Sequence, residues 1–286
     1  MLKQRLIFGT LMVLLFIAMN ITDGWIDGSI TASASDDKAV KGTILCILIA
    51  LLAIPAGLEL SKLASFKNIK IFTPLSITAS ILVATNWYWP QFIRFGAQNY
   101  LFFVWTGSLL AFFLCQYRCC GTSGVIVNCG ANLFAVAYLG LLSGFVLAIR
   151  IDFGLWPLLM FIFVVKSADI GAYTFGTLFG KHRFAPRISP KKSWEGMGGA
   201  VILAVAASIA LAAGFGIMSL RLAAVFGFCF AFIGQLGDLA ESMIKRDTEQ
   251  KDSAKNTVPG FGGILDVIDS PLAAAPFAYI FFMYSS

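Results

Sequence analysis

Nine apolar stretches divide the chain, and each is long enough, or nearly so, to cross the hydrocarbon core of a bilayer as a helix of roughly 20 residues. They lie at 6–20, 42–60, 72–89, 100–117, 131–149, 156–173, 198–216, 222–244 and 270–284. Of the 286 residues, 58% are hydrophobic and 13% are charged, which is outside the range of water-soluble globular proteins. Alternating polar and apolar decamers are not evident, so helices must satisfy the backbone in lipid. We therefore predict an all-α fold, a polytopic integral membrane bundle of about nine transmembrane helices.

The distribution of basic residues predicts the orientation of this bundle. Fifteen of the 21 Lys and Arg residues fall on the side of the N-terminus once the spans are drawn. Because Lys and Arg are enriched in cytoplasmic loops, the N-terminus and the polar loops after the sixth and eighth spans are predicted to be cytoplasmic. The net charge of +6 is then explained by topology and contact with anionic lipid, and we expect no nucleic-acid partner.

The segment 237–270 is the main polar region, with seven carboxylates, four cationic side chains and a glycine cluster. Helical spacing places Asp238, Ser242 and Lys245 on one face at the end of the eighth span, with Glu241 beside them. A carboxylate, a hydroxyl and an amine on one face could together bind a charged substrate. The alternative is a structural pair between a snorkelling lysine and a buried aspartate.

Two further carboxylates, Asp266 and Asp269, are three residues apart near the predicted start of the ninth helix. Together with Asp238 they offer oxygen ligands for Mg²⁺, which is typically held by one or two carboxylates plus substrate phosphates. Helix capping by Asp269 is the alternative. Gly262 and Gly263 would allow backbone N–H groups to approach an anion, although a glycine cluster is more often only a turn.

A second polar group lies in and after the sixth span. Lys166 and Asp169 are inside an apolar stretch, where charges are costly and usually functional, although their spacing also permits a plain ion pair. The loop that follows contains Ser189, Lys191 and Lys192. The only histidine is on a solvated loop and a Gly-x-Ser-x-Gly elbow is lacking, so metal-assisted phosphoryl or nucleotidyl transfer is the chemistry that remains.

At these residues the chain resembles the phosphatidate cytidylyltransferase family, also called CDP-diacylglycerol synthase. The family signature is matched by Ser242, Lys245, Arg246, Lys251, Asp252, Pro259, Gly260, Gly262, Gly263, Asp266 and Asp269, and the upstream conserved region by Asp169, Gly171, Ala172, Tyr173, Gly176, Gly180, Lys181 and 189–196. Phe261 replaces the usual His, Val267 replaces the usual Arg, and the spacer before Pro259 is one residue longer. The likeness covers the C-terminal half.

The resemblance implies that the chain transfers a cytidylyl group from CTP to phosphatidic acid, releasing pyrophosphate and forming CDP-diacylglycerol in phospholipid synthesis. Under this hypothesis Lys245, Ser242, Asp266 and Asp269 are catalytic; Asp238, Asp266 and Asp269 hold Mg²⁺; and Lys191, Lys192, Arg246, Asp169, Ser189, Gly262 and Gly263 contact substrate. Residues 1–122 would be N-terminal transmembrane helices and residues 123–286 the catalytic region.

Several questions stay open at this point. A bacterial cytoplasmic membrane fits best, and a second cation, monovalent or divalent, and a homodimer are compatible with the sequence. A CTP-dependent lipid kinase would need the same substrates and metal. A transporter could instead line an ion path with Lys166 and Asp169, and a scaffold could merely bind anionic lipid.

Overall fold

The computed structural model describes residues 2–30, 40–92, 96–250 and 262–285, and these residues form a helical bundle without β-strands. The all-α prediction is therefore confirmed. The helices are α1 (Leu2–Ile26), α2 (Thr43–Ser65), α3 (Thr73–Ala84), α4 (Ala97–Cys120), α5 (Val125–Phe153), α6 (Leu155–Phe179), α7 (Trp194–Phe215), α8 (Leu220–Asp247) and α9 (Leu265–Ser285).

Eight of these described helices are long and apolar enough to cross a membrane, judged by length and composition. The exception is α3, which has 12 residues and rises about 18 Å at roughly 1.5 Å per residue, short of the roughly 30 Å hydrocarbon core. Its end coincides with Thr85, whose hydroxyl donates to the carbonyl of Ile81 at 2.8 Å and accepts from the indole of Trp89 at 2.9 Å. The third predicted span is thus a shorter helix followed by a turn.

Helix α5 is continuous but contains two π-helical segments, Val136–Leu141 and Ile149–Phe153. The second segment carries Arg150, whose side chain is fully buried. Its guanidinium bonds the carboxylate of Asp27 at 2.6 Å and lies 3.3 Å from that of Asp23, both at the end of α1. The same two carboxylates accept from the backbone N–H groups of Gly42 and Ile44, so they cap α2 as well. This Arg150 clamp joins three helices.

Close packing of α6 against α7 depends on glycine. A Cβ atom on Gly171 would lie 2.4 Å from the carbonyl oxygen of Gly199, so neither backbone leaves room for a larger residue at that contact. Small residues that let helices approach are typical of membrane bundles. The contact lies next to the polar residues Lys166 and Asp169 in the middle of α6.

Candidate functional site

The polar residues predicted from the sequence meet where the middle of α6, the last part of α8 and the start of α9 come together. Five carboxylates and three ammonium groups lie together there, and we call this group the charged cluster. Its members are Lys166 and Asp169 from α6, Lys192 from the loop before α7, Asp238, Glu241 and Lys245 from α8, and Asp266 and Asp269 from α9.

Asp169 connects three helices rather than forming only a local pair. One of its oxygens lies 3.1 Å from the Lys166 amine, as the i, i+3 spacing predicts. The other accepts from the Gln235 amide at 3.3 Å on α8 and from the Ser270 hydroxyl at 3.2 Å on α9. Gln235 and Ser270 were not singled out in the sequence, although polar side chains in apolar helices were a usable signal.

Asp238 faces the loop before α7. Its carboxylate lies 2.9 Å from the Lys192 amine, and that amine also donates to the backbone carbonyl of Gln235 at 3.0 Å. Ser242, one turn further along α8, donates to Asp238 at 3.4 Å. Asp238 and Ser242 therefore share one face of α8, as predicted, and Lys192 contacts that face from the loop before α7.

Lys245 joins the end of α8 to the start of α9. Its amine lies 2.6 Å from Asp266 and also forms an ion pair with Glu241. The second oxygen of Asp266 accepts from the backbone N–H of Gly263 at 2.7 Å. Asp266 is therefore bonded both to the Lys245 amine and to the backbone N–H of Gly263. Through that N–H group the glycine segment before α9 is connected to the cluster.

A set of possible metal ligands consists of Asp238, Glu241 and Asp269, which each offer an oxygen atom within 4.8 Å of the others. It differs from the predicted set, because Glu241 takes the place of Asp266. Glu241 is three residues after Asp238 and so lies on the same side of α8, a relation that the sequence contained. All three ligands are hard oxygen donors, so the chemistry of the set fits a divalent cation.

The other residues predicted to contact substrate lie around this cluster, and Lys191 and Arg246 among them are exposed to solvent. Arg246 donates to the carbonyl of Ile188 at 3.1 Å and so ties α8 to the loop, in which the backbone of Ser189 bonds that of Lys192. Lys191 is exposed, and its carbonyl accepts from Arg183. Gly262 has φ of 101°, a conformation that favours glycine. The signature residues Lys251, Asp252, Pro259, Gly260 and Phe261 lie outside the described residues.

Comparison with known proteins now identifies the family. The model of the cytidylyltransferase family matches residues 38–285, which is most of the chain. The chain belongs to the cytidylyltransferase family. The match begins before α2, so the family pattern extends into the N-terminal half, which the sequence motifs alone had left as unspecific apolar spans.

Curated members of the cytidylyltransferase family with similar sequences are named phosphatidate cytidylyltransferase. The protein of Mycobacterium bovis is 42% identical over 125 residues, covering 44% of this chain and 40% of its own length. That of Haemophilus influenzae is 40% identical over 144 residues, covering 46% and 47%, and that of Mycobacterium leprae is 35% identical over 158 residues, covering 55% and 50%. The chain thus spans about half the length, or less, of the curated relatives that it matches.

Proposed function

We propose that the chain transfers the cytidylyl group of CTP to phosphatidic acid, giving CDP-diacylglycerol and pyrophosphate. The observation that carries the proposal is the charged cluster, which gathers five carboxylates and three amines between apolar helices. Such a cluster suits a substrate that is both highly charged and membrane-bound. Family membership and the names of the relatives support the same reaction.

In this reaction a phosphate oxygen of phosphatidic acid forms a bond to the α-phosphorus of CTP, and the bond from that phosphorus to the bridging oxygen of the β-phosphate breaks. The departing pyrophosphate carries away the negative charge. Most of the catalysis in such transfers is positioning and charge neutralisation. A bound Mg²⁺ would neutralise phosphate oxygens and polarise the α-phosphorus.

Asp238, Glu241 and Asp269 would hold the Mg²⁺, and the amines of the cluster would receive phosphate oxygens. Lys192 and Lys245 are each bonded to carboxylates. When a triphosphate enters, each amine can exchange a carboxylate oxygen for a phosphate oxygen, which keeps it paired at all times. Ser242 would donate its hydroxyl to phosphate in place of Asp238.

The outer residues would complete the substrate contacts. Lys191 and Arg246 are exposed at the rim and would attract the triphosphate or the lipid headgroup. Ser189, Gly262 and Gly263 lie in the two segments that border the cluster, and their N–H groups or hydroxyl would contact phosphate. Asp169 would shape the polar cavity through its bonds to Gln235 and Ser270.

The membrane in question is proposed to be a bacterial cytoplasmic membrane, with the charged cluster on the cytoplasmic side where CTP is available. The excess of basic residues on that side supports this orientation, and the bacterial origin of the relatives supports the membrane. A homodimer and a second cation stay predictions.

The test uses purified protein in detergent with phosphatidic acid, Mg²⁺ and CTP labelled at either the α- or the γ-phosphate, followed by lipid extraction. We expect α-label in the lipid and release of pyrophosphate. Label from the γ-phosphate in the lipid would instead identify a CTP-dependent lipid kinase, and no transfer of the α-label by folded protein would refute the proposed reaction.

A further inference from the structure

Glu59 is a carboxylate in the middle of the N-terminal half that the proposed reaction does not yet use. It lies in the last third of α2, directly after a long apolar run, and only 5% of its surface is exposed. A buried carboxylate in a membrane helix is costly unless other groups satisfy it. Its burial therefore calls for a physical reason.

The contacts of Glu59 supply that reason. One of its oxygens accepts from the backbone N–H of Ile264 at 2.9 Å, and the other accepts from that of Leu265 at 3.0 Å. These two N–H groups lie at the start of α9, more than 200 residues away in the sequence. The first N–H groups of a helix have no partner within the helix, and its N-terminus carries partial positive charge.

No residue directly before α9 has a side chain that could accept hydrogen bonds from the first N–H groups of the helix. The residues directly before it are Gly262, Gly263 and Ile264, none of which has a side-chain acceptor. Asp266 accepts from the N–H of Gly263, which leaves the next two N–H groups to the carboxylate from α2. Glu59 thus caps α9 from a different helix.

The first turn of α9 carries the residues on which the cluster depends. Asp266 is bonded to the Lys245 amine at 2.6 Å, and Asp269 belongs to the set of possible metal ligands. A shift of the helix start would move both carboxylates relative to α8. Misplacement by about 1 Å can lower a rate by roughly 100-fold, because the reacting groups no longer align.

We propose that Glu59 is a positioning residue for the active site: it fixes the N-terminus of α9 and thereby sets Asp266 and Asp269 against α8. For its catalytic consequence this inference rests on the proposed cytidylyl transfer, whereas the capping itself does not. A helix of the N-terminal half then completes the site, so the catalytic region is not confined to the segment 123–286 that carries the motifs.

The test compares wild type with Glu59→Gln and Glu59→Asp in the same detergent. Glutamine keeps the shape but loses the charge and one acceptor, and aspartate keeps the charge but is one methylene shorter. The matched control is Asp152→Asn, which makes the same change of carboxylate to amide at a residue bonded to Tyr279 instead.

Two measurements are made on each variant. Hydrogen exchange is followed in the peptide that contains Ile264 and Leu265, and kcat and KM are measured for CTP and for phosphatidic acid. For Glu59→Gln we expect exchange of that peptide to rise at least about tenfold and kcat to fall about 10- to 100-fold, with each KM within about threefold of wild type. Glu59→Asp should recover part of the loss, and Asp152→Asn should match wild type.

The result that would overturn the proposal is unchanged exchange at the start of α9 in Glu59→Gln, or a general rise in exchange throughout the bundle with kcat lost in proportion to unfolded protein. If Glu59→Gln does not fold, Glu59→Asp gives the same comparison. If wild type itself shows no cytidylyl transfer, the proposed function fails, while the exchange measurement still decides whether Glu59 caps α9.

Discussion

Removal of the Arg150 guanidinium is predicted to destabilise the bundle more than any change at its surface. The side chain is fully buried, and its charge is matched by Asp23 and Asp27, which are buried as well. In Arg150→Met the methionine fills much of the volume, but two carboxylates then face each other without a cation. Breaking a buried ion pair by removal of one partner costs about 3–5 kcal/mol.

That range agrees with the contacts. The guanidinium donates a hydrogen bond to Asp27 at 2.6 Å and one to the Ser29 hydroxyl at 3.2 Å, and hydrogen bonds that involve charged groups contribute about 1.5–3 kcal/mol each. At about 1.4 kcal/mol per factor of ten, the ratio of folded to unfolded protein should fall roughly 100- to 5,000-fold. The free energy of unfolding is measured in mixed micelles with an increasing fraction of denaturing detergent.

A triple variant separates the charge from the volume. In Asp23→Asn/Asp27→Asn/Arg150→Met the asparagine oxygens can still accept from the N–H groups of Gly42 and Ile44, but no unpaired charge is left. Replacing a whole buried ion group by neutral side chains is often close to neutral, so this variant should regain most of the lost stability. A loss below about 1 kcal/mol in Arg150→Met alone would refute the reasoning.

Three further predictions concern the clamp, the metal and the packing. Burial raises the pKa of Asp27, but hydrogen bonds from Ser29 and the charge of Arg150 outweigh this effect and hold the pKa below the usual 3.8. The stability that ionised Asp27 contributes is therefore present above pH 3.8 and is lost as the pH falls through the lowered pKa. The acid unfolding of Asp27→Asn should lack this pH-dependent loss of stability. Glu241→Gln should raise the Mg²⁺ concentration for half-maximal turnover about 10-fold or more, measured by Mg²⁺ titration, whereas an unchanged titration would remove Glu241 from the ligand set. Gly171→Ala should cost about 1–3 kcal/mol because its Cβ would meet the Gly199 carbonyl, whereas Gly198→Ala, where a Cβ meets no atom within 4 Å, should be nearly neutral in the same unfolding measurement.

The helical bundle could be predicted from the sequence because the constraint is local. A membrane span needs only a sufficient run of apolar residues, and eight of the nine predicted runs became long apolar helices in the described part of the chain. The run at 72–89 did not, because hydropathy counts residues and does not register where a helix stops. Thr85 and Trp89 close a turn there, and that turn depends on side-chain hydrogen bonds.

The charged cluster could be predicted in part. Spacing along one helix identified Asp238, Ser242 and Lys245, and the motif identified Asp266 and Asp269. Spacing could not say which carboxylates face each other across helices, since that depends on the rotation of α8 against α9. The structure accordingly bonds Asp266 to Lys245 and places Glu241 with the possible metal ligands. The metal assignment itself stays a prediction.

Contacts between distant parts of the chain were beyond the reach of sequence patterns, and α2 illustrates why they matter. Its first N–H groups are capped by Asp23 and Asp27, and near its other end Glu59 caps α9. A polar residue in an apolar run signals that some partner exists, but not which one. Because α2 is tied at one end to the Arg150 clamp and at the other to the helix that carries Asp266 and Asp269, the N-terminal half does more than anchor the chain in lipid. Through Glu59 it also fixes the start of α9, which carries two carboxylates of the charged cluster.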